Sequence, residues 1–142
     1  IELVVSGMQK HSQKLIVQEQ GFDFLLRLAG TVNNRRRMLK EGRLDAIFGA
    51  MGENLEHKWL QDLGCQLILT FLESKECSLC WEAASRGETV VLAAMRCHCD
   101  DPDLQVRGCK VLRELARKIE NRTSLIEKGA IPIVFQAMQK HQ

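Results

Sequence analysis

The chain carries no excess of either charge: 20 lysine and arginine residues stand against 18 aspartate and glutamate, a net +2 at pH 7. That balance offers no concentrated positive field to a nucleic acid or an acidic membrane surface, and neither is expected as a partner. Long apolar runs are missing as well. No stretch approaches the roughly 20 residues that cross a bilayer, and the opening IELVVSGMQKH lacks the basic lead, apolar stretch and cleavage site of a secretory signal. A soluble, cytoplasmic protein is expected, with the nucleus as the second compartment. Cysteine is too sparse for a disulfide scaffold, at six in 142 residues. Cys65 and Cys109 fall at equivalent points of a repeat and read as small apolar fillers. Sustained alternation with period 2 is absent, so no strands are expected. A nucleophile elbow, a Gly-rich phosphate loop, a His-Glu zinc helix and paired carboxylates are also wanting, and we expect neither catalysis nor a cofactor.

What is present is a repeat. Gly21, Gly64 and Gly108 stand 43 and 44 residues apart, each three residues after a glutamine, Gln18, Gln61 and Gln105. Met8, Met51, Met95 and Met138 follow at spacings of 43, 44 and 43, and Gly42, Gly87 and Gly129 form a further series. Self-similarity at about 40 to 47 residues is the signature of helical solenoids.

Each unit reads as three helices. Residues 34–42 and 121–129 predict a short helix 1, started by an Asn cap and ended by a left-handed glycine; the middle copy, 79–87, departs from this pattern after a longer connection. Residues 1–11, with copies ending at Met51, Met95 and Met138, predict an amphipathic helix 2. Residues 14–29 predict helix 3, whose buried face runs Val17, Leu60, Leu104, then Phe24, Leu67, Val111, then Leu25, Ile68, Leu112, then Leu28, Phe71, Leu115. Asp101 reads as an N-cap with Pro102 in the first turn. The glycines inside helix 3 each cost about 1 kcal/mol against alanine, so close approach of a neighbouring backbone is expected to justify them. The all-α chain thus forms one array over 1–142: a partial unit 1–30 (helices 2 and 3), full units 34–73 and 77–118, and a partial unit 121–142 (helices 1 and 2).

The order N-R-x-x-[ML]-[LI]-x-x-G, an apolar helix with Ala130-Ile131-Pro132 in its last copy, then L-Q-x-x-G-C-x-x-L-x-x-L-A resembles the armadillo repeat, over essentially the whole chain. The resemblance implies a right-handed superhelix whose third helices line a concave groove. Peptide-clamping members of the family carry tryptophan and asparagine on helix 3. The matching positions here hold Asp23, Gln66 and Lys110, and Arg27, Thr70 and Glu114. That ladder is absent, which argues against recognition of nuclear localisation signals.

The groove implied by the resemblance is lined by Gln20, Asp23, Arg27, Leu63, Gln66, Thr70, Arg107, Lys110, Glu114 and Arg117, with Trp59 at its rim, and becomes basic toward the third unit. A non-catalytic scaffold that binds a protein or peptide partner along this surface is the leading expectation. The alternative is a structural or autoregulatory segment packing on other domains of a larger protein such as a kinase. A minor alternative is a zinc or redox module through Cys77, Cys80, Cys97 and Cys99. His98 speaks against it, because it follows Met95 as His11 follows Met8 and His141 follows Met138, and so belongs to the repeat. Arg35, Arg36 and Arg37 read as a solvated helix face, and the Asn121-Arg122-Thr123 sequon is discounted for want of a secretory context. End faces that a further unit would cover predict end-to-end self-association of a piece of a longer array.

Overall fold

The 3.6-residue apolar period forms helices throughout. The structure, a computed structural model, describes residues 1–74 and 78–142, apart from the side chains of residues 41 and 78–80. Among the described residues there are ten α-helices and no strand: α1 (Glu2–Lys10), α2 (Leu15–Leu28), α3 (Val32–Met38), α4 (Arg43–Glu53), α5 (Lys58–Leu72), α6 (Ser78–Ser85), α7 (Glu88–Cys97), α8 (Pro102–Leu115), α9 (Ile119–Glu127) and α10 (Ala130–Lys140). A 3₁₀ turn, Lys40–Gly42, joins α3 to α4.

The helices stack by kind. The third helices α2, α5 and α8 pack side by side, and the second helices α1, α4, α7 and α10 form a parallel row against them. The core lies between the rows. It is densest around α5, which has a neighbour on either side: Leu60, Leu67, Ile68 and Phe71 are all 2% exposed or less. At the first unit the same register is open, and Phe24 is 48% exposed although its counterparts Leu67 and Val111 are buried. Burial of that position belongs to the adjoining unit and not to the helix that carries it.

Three sequence markers meet at one seam. Met8, Met51 and Met95 lay their thioethers on Gly21, Gly64 and Gly108, where a β-carbon would fall 2.7, 2.9 and 2.6 Å from the respective Cγ. The glycines therefore make room for a methionine side chain, not for a backbone, which corrects the sequence expectation. One turn earlier the buried glutamines close the same contact. Gln18 Nε2 donates to the carbonyls of Met8 and His11 at 2.8 and 3.0 Å, Gln61 to Met51 and Asn54 at 3.0 and 2.8 Å, and Gln105 to Met95 and His98 at 2.9 and 3.0 Å. Carbonyls at a helix C-terminus have no partner within the helix, and each glutamine supplies one from outside.

A second ladder joins successive units. Asn54 Nδ2 donates to the Ser12 carbonyl at 3.5 Å, His98 Nε2 to Leu55 at 2.7 Å and His141 Nε2 to Cys99 at 3.0 Å. A carbonyl only accepts, so both imidazoles carry their proton on Nε2. Glu88, buried at the start of α7, receives Ser124 of α9 and Lys128 just beyond its end.

The short first helices differ from expectation at their starts. Thr31, not Asn34, caps α3, its hydroxyl accepting from Asn34 N at 3.4 Å, and α9 begins at Ile119 without a side-chain cap. Asn121 lies inside α9 and its Nδ2 donates back to the Leu115 carbonyl at 3.1 Å. Arg35 Nη1 and Arg122 Nε reach the Ala29 and Ala116 carbonyls at 2.6 and 2.9 Å. Arg35, and Asn121 together with Arg122, thus serve the end of the preceding helix 3. Gly42 and Gly129 are left-handed, with φ of 66° and 81°, whereas Gly87 has φ −79°. Contact explains Gly87, because a β-carbon there would lie 2.9 Å from Phe48 Cε1. Asp101 caps α8 through Leu104 N at 2.8 Å, with Pro102 in the first turn, as expected. The longer connection before the middle helix 1 includes residues 75–77, outside the described residues.

Candidate functional site

Stacking α2, α5 and α8 side by side brings one flank of each third helix into a shared polar face. Asp62 on α5 organises its centre. Its Oδ1 accepts from Arg107 Nε of α8 at 2.5 Å and its Oδ2 from Gln66 Nε2 at 3.0 Å. Lys58 Nζ, one turn before Asp62, lies 2.6 Å from Asp101 Oδ2. Two ion pairs thus join α5 to α8. The Asp101 carboxyl is held below its ordinary range by the Lys58 ammonium and then by Leu104 N, and the Lys58 ammonium is raised in turn.

Toward the end of α8, Glu114 is 6% exposed and accepts from Arg117 Nη1 at 3.1 Å and Arg113 Nη2 at 3.0 Å. Burial pushes its carboxyl up, but the two guanidinium donors together outweigh burial and leave it lowered. Part of the basic character expected here is therefore neutralised locally. Lys110 is exposed, and Arg117 keeps 71% of its side chain in solvent while tethered to Glu114.

The other expected groove residues divide by environment. Gln20 is exposed, and Asp23 pairs with Arg27 at 2.9 Å along the solvent side of α2. Thr70 is half-buried and donates to the Gln66 carbonyl at 2.9 Å. Trp59 is 58% exposed at the start of α5. Leu63 and Glu114 are corrections to the set. Leu63 is 3% exposed and packs in the core, because α5 is flanked on both sides, and Glu114 reaches solvent only through its arginines. Sequence reading missed Asp62 and Lys58, and took Asp101 for a cap alone. A signal existed: acid and base of opposite sign lie 45 residues apart at 62 and 107, close to the repeat period.

Among the described residues no group of three or more His, Cys, Asp or Glu side chains is placed to hold a metal. Cys77 and the side chain of Cys80 lie outside the described residues. Cys97 is exposed, and Cys99 stands 3.5 Å from Lys140 Nζ. Burial pushes the Cys65 thiol up to about 12 and raises that of Cys109. The Trp81 ring is half-buried under the Lys118 ammonium, 5.5 Å from its centroid, and is engaged within the fold. No helix among the described residues is long and apolar enough to cross a membrane.

No protein-family model matches the chain, and no curated protein or solved structure matches it either.

Proposed function

We propose that this chain is an armadillo-type array, a right-handed superhelix of three-helix units, and that it acts as a non-catalytic scaffold holding an extended protein segment across α2, α5 and α8. The observation that carries the reading is the side-by-side packing of the third helices, with α5 and α8 cross-linked by Lys58–Asp101 and Arg107–Asp62. Side chains fixed between helices present a rigid polar surface, which costs a partner less ordering than a mobile one. Trp59 adds an exposed aromatic anchor at one edge, of the residue type that dominates interface energies. Lys110 and Arg117 give the α8 end a positive sign and favour a segment with acidic residues there.

Selection of peptides from a random library on the immobilised protein tests this. Peptides enriched on the wild type should bind at least 10-fold more weakly to Trp59→Ala and to Lys110→Glu. Equal binding to both variants would remove this face as the partner surface.

A further inference from the structure

The polar face of the third helices is not evenly charged. On α8, Lys110 and Arg117 stand seven residues apart, so both lie on one face of the helix, roughly 10 Å apart along its axis. Between them in sequence, the buried Glu114 accepts from Arg113 at one carboxylate oxygen and from Arg117 at the other. Lys110, Arg113 and Arg117 against Glu114 leave a local charge of +2, since Arg107 is already matched by Asp62.

The tether gives Arg117 a defined edge. Its Nη1 donates to Glu114 at 3.1 Å, which leaves Nε and Nη2 without a partner among the described residues. Those two nitrogens form the planar fork that meets a pair of anionic oxygens. Lys110 is exposed and also has no partner among the described residues. Both places stay open inside the stack of helices. On α5, which is flanked on either side, they are held by Gln66 and Glu73, the first half-buried and the second exposed.

We propose that Lys110 and Arg117 bind a phosphorylated serine, threonine or tyrosine side chain of the protein segment that lies along the third helices. The inference rests on the function proposed above and names the chemistry of the partner. A phosphomonoester carries about −1.5 to −2 charge at neutral pH and three strong acceptor oxygens. That matches the local charge, and it serves the Arg117 fork and the Lys110 ammonium at once. A carboxylate has a single charge and two oxygens, so it fills the fork and leaves the ammonium uncompensated. Glu114 is a positioning residue here, because it fixes the guanidinium before the partner arrives and lowers the ordering cost of binding.

Random dodecapeptides, each synthesised on an array with serine, glutamate or phosphoserine at its centre, supply the probe. Binders are then titrated against the whole protein by fluorescence anisotropy. The phosphoserine forms are expected to bind at least 10-fold more tightly than the serine forms and at least threefold more tightly than the glutamate forms. Arg117→Lys keeps the charge and loses the fork, so it should remove the preference over glutamate and retain part of that over serine. With 71% of the Arg117 side chain in solvent, this variant should keep the wild-type circular dichroism. Glu114→Gln raises the local charge by one but weakens the tether, so the ratio of phosphoserine to glutamate binding should fall, where simple attraction would raise it. Three results would overturn the proposal: equal binding of phosphoserine and glutamate forms, a preference unchanged in Arg117→Lys, or a ratio raised by Glu114→Gln. Peptides that bind through Trp59 with no preference for phosphoserine would leave the third-helix face as the partner surface and remove the phosphate site. If no form binds in a manner that Trp59→Ala weakens, both readings fall.

Discussion

Gln61 Nε2 sits between two carbonyls, Met51 O at 3.0 Å and Asn54 O at 2.8 Å, so one buried amide of α5 closes the C-terminal end of α4. Replacing it with leucine keeps the volume and removes both donors. Gln61→Leu is expected to cost about 1–3 kcal/mol, the penalty for stranding buried polar groups. Urea unfolding should report it as a lower midpoint at unchanged slope. A midpoint equal to wild type would mean that water reaches those carbonyls.

Gly64 touches Met51 with no room for a β-carbon. Gly64→Leu should therefore destabilise by about 1–3 kcal/mol through overpacking. The cause is separable by a double-mutant cycle with Gly64→Ala and Met51→Ala. Shortening the methionine frees the space, so the alanine at 64 should cost less in that background, with a coupling of at least about 0.5 kcal/mol. Strict additivity would place the strain elsewhere.

Asp101 and Glu114 both have lowered carboxyl pKa values, the first through Lys58 and Leu104 N, the second through Arg117 and Arg113 working against burial. A group whose pKa is depressed on folding contributes stability above its unfolded pKa and loses it as pH falls through the folded one. Stability should therefore hold from neutral pH down to about 4.5 and decline below, across and beneath the ordinary carboxylate range. Asp101→Asn, which retains a capping side chain, should be less stable than wild type at pH 7, and the gap should narrow as the pH falls below the ordinary carboxylate value of about 3.9. Parallel pH profiles of the two melting temperatures would contradict the assignment.

Much of the fold was legible because the markers recur in register. Gln18, Gly21 and Met8 announced themselves through their copies at 61, 64 and 51 and at 105, 108 and 95. Spacing alone could not reveal that the three side chains meet, and the glycine was assigned to backbone approach when the methionine fills the space. Phe24 and Leu63 failed for a related reason. The pattern defines a helix face, whereas exposure depends on whether another unit lies beside it, which left Phe24 open and Leu63 enclosed. Asn34 and Asn121 were read as caps because their residue type favours caps. In the structure Asn121 lies within α9 and serves the preceding third helix. The polar face was half legible: Trp59, Lys110 and Arg107 stood out, but Asp62, which joins Arg107 to Gln66, has no counterpart of its charge at Val106.

The glutamine clamp also fixes how far apart in the chain the partners of a contact must be. Each Gln-to-Met bond spans 10 residues, and the side-chain bonds between units span 32 to 45. Low sequence separation favours fast folding, because little loop-closure entropy is lost before contacts form. Among the described residues, none of these bonds waits for the two ends of the chain to meet. During synthesis, once α4 and α5 have emerged, everything Gln61 needs has already been made.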